Sequence, residues 1–180
     1  MKLARERAVL VVVDVQEAFR PAVLDFERVV QGAATLIQGA NLLGIPVLVT
    51  EQYPKGLGHT VPEVAGLLDG VTPIEKLCFS AGDAKSFRES LAESGRDQVL
   101  LSGIEAHVCV SQTAEDLLAD GRQVHVVADA VTSRTEDNRR LGLHKMERAG
   151  AIVTSVETAL FELLGAAGTP EFKAIQKLVK

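Results

Sequence analysis

The run VLVVV at residues 9–13 most constrains what this chain can become. An unbroken aliphatic stretch of strand length must be covered on both faces, which places it inside a parallel sheet with helices above and below. The following sequence is therefore read for alternation. Phe26, Val29, Val30, Ala33, Leu36, Ile37, Ala40 and Leu43 recur at helical spacing, and Gly44 closes that helix. Residues 45–50 form a second β-rich run.

The pattern repeats. Strand-like runs fall at residues 74–79, 97–102, 123–128 and 151–154. Helical stretches fall at 83–94, 109–120, 135–149 and 156–164, with Gly121, Gly150 and Gly165 at three of their ends. This predicts a three-layer α/β/α sandwich around a six-stranded parallel sheet, with the Rossmann-like strand order 3-2-1-4-5-6 as the default. At 180 residues and 47% hydrophobic, with no repeat or linker, residues 1–180 read as one domain. Residues 51–73 are the exception to short connections, and a loop of that length suggests a lid or an interface arm. Leu67 and Leu68 are read as part of a short helical turn, and Phe172, Ile175, Leu178 and Val179 as packing on the core or on a neighbour.

Charge excludes some partners. Nineteen basic against 24 acidic residues give a net charge of −5, without a basic stripe for nucleic acid. The apolar run at the N-terminus is too short for a membrane span or a signal-peptide core. Two cysteines make no disulfide framework and suit a reducing cytoplasm. The expected partner is a small molecule.

In an open parallel sheet, ligands bind at the carboxyl ends of the strands where the order reverses. Asp14 follows the first strand there, and Cys109 follows the fourth across the crevice. At a helix N-terminus the dipole favours thiolate over thiol, and Asp14 is in place to take a proton. Lys76 interrupts the apolar residues Ile74, Leu77 and Phe79, as a surface lysine or as an inward charge. Taken alone, Cys109 reads as a small apolar filler. Cys78 reads as core because it continues an apolar strand, His125 as a hydrogen-bonded structural histidine, and His144 as exposed. Arg134 and Lys55 lie near the rim, where an anionic substrate or plain solvation would account for them.

DVQEAF at 14–19, Glu75-Lys76 in a strand, GIEAHVCV at 103–110 and VHVVADAVTSR at 124–134 together resemble the isochorismatase-like cysteine hydrolases, in order and over nearly the whole chain. The resemblance implies an Asp-Lys-Cys triad of Asp14, Lys76 and Cys109, with Cys109 as nucleophile, Asp14 as general base and acid, and Lys76 as the supporting cation. It implies a cis peptide at Ile104–Glu105, aiming the backbone N–H groups of Glu105 and Cys109 at an oxyanion. Homo-oligomers are common in that family. Gln16, Phe19, Tyr53, Phe79 and His107 are candidates for the pocket wall.

The family's nicotinamidases carry paired histidines after the second strand. Here His59 stands alone, so neither a metal nor another cofactor is expected. Together these readings give a metal-independent hydrolase of a C–N bond in a small amide or ureido compound. The alternatives are vinyl-ether hydrolysis led by Asp14, or a non-catalytic interaction module.

Overall fold

The computed structural model describes residues 2–180. Six strands, β1 (Ala8–Val13), β2 (Val47–Gln52), β3 (Ile74–Lys76), β4 (Gln98–Ile104), β5 (Gln123–Thr132) and β6 (Ile152–Thr154), form one sheet in the order β3-β2-β1-β4-β5-β6. All five pairings are parallel, as the aliphatic run in β1 demands. The helices are α1 (Phe26–Leu43), α2 (Pro54–Leu57), α3 (Pro62–Ala65), α4 (Lys85–Glu93), α5 (Ser111–Ala119), α6 (Glu136–Ala149), α7 (Val156–Leu164) and α8 (Pro170–Leu178). Among the described residues, none of these helices is long and apolar enough to cross a membrane.

Strand alternation divides the interior into two apolar layers. Leu10 and Val12 of β1 pack with Val29, Ile37, Leu160 and Ile175 on one face. Val9, Val11 and Val13 pack with Phe87, Val110, Leu117 and Met146 on the other. Truncating a fully buried ring such as Phe87 to alanine costs about 3–5 kcal/mol. Three helices start on hydroxyl caps: Thr135, Ser155 and Thr169 accept from the N–H of Asn138, Thr158 and Phe172, each worth about 1 kcal/mol.

The elements depart from the sequence reading where backbone groups are diverted. β2 begins at Val47 because Ile45 N–H closes α1 on Ala40 O and Pro46 has no N–H to give. β3 stops at Lys76, and the carbonyls of Cys78 and Phe79 turn back toward that lysine's own ammonium group. Cys78 is therefore half-buried beyond the strand rather than in the core. β5 continues to Thr132 past a register shift opposite Leu101 and Gly103, where Arg139 of α6 donates to the carbonyls of Ala128 and Val131. The 51–73 segment holds the end of β2 and two single-turn helices, α2 and α3. α8 is a helix that the sequence pattern suggested only as an apolar face.

Two glycines set the backbone near the rim. Gly103 pairs with Val13 at φ +121°, and a Cβ there would lie 2.0 Å from Val13 O. Gly142 lets α6 approach the turn after β4, since its Cβ would meet the Ala106 carbonyl carbon at 2.6 Å.

Candidate active site

Strand order reverses between β1 and β4, and the Lys76 side chain reaches that point from the carboxyl end of edge strand β3, across β2. Asp14 leaves β1 in the left-handed region at φ +52°, a conformation that aspartate tolerates better than most residues. Its side chain is fully buried and accepts from Thr50 Oγ1 at 2.6 Å through Oδ1 and from Lys76 Nζ at 2.8 Å through Oδ2. Lys76 Nζ also donates to Gln52 Oε1 at 2.7 Å, Phe79 O at 2.9 Å and Cys78 O at 3.3 Å. A buried ion pair survives only when its remaining donors and lone pairs are satisfied, and this one is surrounded by such partners. Lys76 is thus an inward charge. Thr50 and Gln52, which hold the pair, escaped the sequence reading because neither residue type announces such a role.

The Ile104–Glu105 bond is cis. A single π-helical turn, Ala106–Val110, then carries Cys109 ahead of α5. The thiol is 5% exposed and opens into a cavity of about 460 Å³. Burial and then the Asp14 carboxylate push its pKa up to about 12, with Lys76 pulling in the opposite direction. This corrects the expectation of a thiolate favoured by a helix terminus. The raised pKa keeps Cys109 a neutral thiol beside the Asp14 carboxylate at neutral pH.

Phe19 and Phe79 line that cavity with Ala22, Leu57 and Val108, while Gln52, Glu105 and Arg134 supply its polar wall. The other three pocket candidates sit elsewhere. Gln16 is fully buried, donating to Gln52 O and Gly58 O and accepting from Gln52 N–H, so it ties the 51–73 segment to β1 instead of facing a ligand. Tyr53 is half-exposed on a neighbouring recess of about 360 Å³, beside Pro54, Lys55 and Leu77. His107 is half-buried, with Nδ1 at 3.0 Å from Ser133 Oγ, and is not among the residues lining the cavity.

Glu105 is buried, and its Oε2 accepts from both the backbone N–H (2.9 Å) and Nε (3.1 Å) of Arg134. Arg134 lines the cavity mouth while its side chain stays 60% exposed, as a solvated charge would be. His59 bonds Glu51 Oε2 at 3.0 Å, while Glu51 Oε1 accepts from Thr60 N–H and Oγ1, each at 2.7 Å. Burial works to raise the Glu51 carboxyl, but these hydrogen bonds outweigh it and hold the group below its usual range. No group of three or more histidine, cysteine, aspartate or glutamate side chains among the described residues is arranged to hold a metal ion.

The family model for the isochorismatase domain matches residues 8–158. Isochorismatase domain-containing protein 2A of Mus musculus is 42% identical over 179 residues, covering 99% of this chain and 85% of its own. A secreted isochorismatase effector, Isc1, of Phytophthora sojae is 44% identical over 183 residues, covering 99% of this chain and 87% of its own. A solved structure described as the MAR1 ribonuclease of Caenorhabditis elegans superposes with a TM-score of 0.94 at 41% identity, covering 99% of this chain and 92% of that one.

Proposed function

The chain belongs to the isochorismatase family, a hydrolase fold, and on that premise we propose that it is a metal-independent cysteine hydrolase. It cleaves a C–N bond of a small amide or ureido compound through a thioester on Cys109, within one domain spanning residues 1–180. The observation that carries this reading is the placement of the Cys109 sulfur, in a cavity and under the direct influence of the buried Asp14–Lys76 pair.

The chemistry follows from the resting protonation state. As the sulfur attacks the carbonyl carbon, its proton passes to Asp14, so charge need not be created on an isolated buried thiolate. The new C–S bond pushes the carbonyl electrons onto oxygen, toward the backbone N–H groups of Glu105 and Cys109. Collapse breaks the C–N bond, and Asp14 returns the proton to the departing nitrogen. Water then adds to the thioester, gives its proton to Asp14, and displaces sulfur, which takes the proton back. Lys76 stays cationic throughout and holds the Asp14 carboxylate in position.

The C. elegans protein is described as a ribonuclease. An RNA substrate calls for a basic track along the phosphates, and a net charge of −5 argues against one here. Cytoplasmic location and homo-oligomeric assembly are part of the same proposal. The free thiols Cys78 and Cys109 suit a reducing compartment, and exposed Leu77 and Phe79 suit burial against another copy.

Screening amides and ureides for ammonia or amine release, with Cys109→Ala as control, tests the reading. Release that depends on Cys109 supports it. Release unchanged by that substitution, or hydrolysis confined to vinyl ethers or RNA, overturns it.

A further inference from the structure

Most polar groups around the Cys109 cavity are already engaged. Thr50, Gln52, Asp14 and Lys76 bond to one another, and Gln52 Nε2 donates to Leu77 O at 2.8 Å. Phe19, Leu57, Phe79 and Val108 make much of the wall apolar, and Glu105 and Arg134 are its other polar residues.

Glu105 divides the work of its carboxylate unequally. Oε2 takes two donors from Arg134, the backbone N–H at 2.9 Å and Nε at 3.1 Å, while Oε1 has no partner among the described residues. The Glu105 carbonyl accepts from the N–H groups of Val108 and Val110, so the residue is held by its backbone as well as by Oε2. Its side chain is only 10% exposed. Among the described residues, the sealed side-chain atoms without partners are Ser102 Oγ, both His125 nitrogens and Thr154 Oγ1. Glu105 Oε1 is not one of them, so its surface opens into the cavity that Glu105 lines. A carboxylate oxygen drawn out of bulk water and left without a donor is unfavourable, and an incoming N–H group restores the missing bond.

We infer that Glu105 is a specificity residue that accepts, on Oε1, an N–H of the amide or ureido group being cleaved. The inference rests on the proposed site and deepens it. Glu105 selects acyl groups that bear at least one N–H over esters, vinyl ethers and fully alkylated amides of the same shape. The bond strengthens during the reaction, because the departing nitrogen gains positive charge as Asp14 protonates it. The backbone N–H of the same residue faces the developing oxyanion, so Glu105 reads both the oxygen and the nitrogen of the group under attack.

Benzamide and methyl benzoate test this directly, since both are uncharged, both offer a ring to the apolar wall, and they differ in carrying NH2 or OCH3. Their binding is measured by calorimetry on the Cys109→Ala protein, where no thioester forms. Benzamide should bind about tenfold to a hundredfold tighter, the range expected for a hydrogen bond to a charged group. In Glu105→Gln the two Arg134 donors claim the amide oxygen, which puts an NH2 where Oε1 was. The preference should then vanish or turn toward the ester, whereas damage to packing alone would weaken both ligands alike. Equal affinities with Glu105 in place, no measurable benzamide binding, or a preference that survives Glu105→Gln would each overturn the inference. The first comparison leaves Glu105 unchanged, so it decides the matter even if Glu105→Gln fails to fold. Because this readout involves no chemistry, an N–H preference without cysteine-dependent turnover would sink the mechanism and leave the selector standing. Turnover without the preference would do the reverse.

Discussion

Two buried titratable side chains on neighbouring stretches of the sheet have opposite surroundings. Cys109 sits at the rim beyond β4, beside a carboxylate, an ammonium group and an open cavity. His125 sits mid-strand in β5, between Leu100 of β4 and Ile152 of β6, and, contrary to the expectation of a hydrogen-bonded histidine, neither ring nitrogen has a partner among the described residues. Alternation puts it on the same face as Val127, under the layer that contains α7. Burial alone therefore does not mark a working residue. What distinguishes Cys109 is a neighbouring carboxylate and ammonium group and a cavity beside its sulfur.

The largest effect should separate the two sites by activity. Cys109→Ala should remove turnover by a factor on the order of 10⁶, as loss of a nucleophile does elsewhere. His125→Leu should leave kcat/KM within a few fold. Steady-state assays on any substrate identified by ammonia release check both, and a large loss in His125→Leu would break the distinction.

Stability should then divide the sites in the other direction. Lys76→Met strands the buried Asp14 carboxylate and should cost about 3–5 kcal/mol in urea unfolding. His125→Leu exchanges two unsatisfied nitrogens for hydrocarbon and should stabilise by about 1–3 kcal/mol. A destabilised His125→Leu would mean that the imidazole has a role the geometry does not reveal.

The pH dependence sharpens the contrast. Burial pushes the His125 pKa down, with Glu162 opposing, so the unfolded chain binds the proton more readily. Stability is then complete above the unfolded value of about 6.5 and is lost as pH falls below it. Cys109 runs the opposite way: its raised folded pKa leaves stability complete below the unfolded value of roughly 8.5 and lost as pH rises toward 12. Denaturation profiles should show an acid limb flattened by His125→Leu and an alkaline limb flattened by Cys109→Ala.

The smallest effect is in labelling rate. Iodoacetamide should modify half-buried Cys78 before Cys109 at neutral pH, and Cys109 labelling should keep rising beyond pH 9. A plateau below pH 8 for Cys109 would contradict a resting neutral thiol.

Much of the fold was legible because strand burial and helix spacing are local signals. VLVVV and the α1 face both kept their predicted places, and the strand order followed from handedness. Asp14 and Lys76 were nameable because each interrupts an apolar pattern near a strand end, whereas Cys109 read alone as an apolar filler and took its place from the resemblance. Gln16 and Tyr53 were misplaced because proximity to a rim in sequence says nothing of side-chain direction at φ +39° or inside a polar clamp. The role of Glu105 in fixing Arg134 was invisible, since it joins residues 29 apart through a turn whose geometry the sequence does not encode locally. The raised Cys109 pKa was missed for a related reason. Burial depth and the distance to Asp14 decide it, and both arise only on folding.

The most direct measurement is intact-protein and peptide mass spectrometry after rapid acid quench during turnover of an active amide. The account predicts a transient mass increase equal to the substrate's acyl group, located on the peptide containing Cys109 and absent from Cys109→Ala. Full turnover with no acyl group on that cysteine at any quench time, and an undiminished rate in Cys109→Ala, would contradict it.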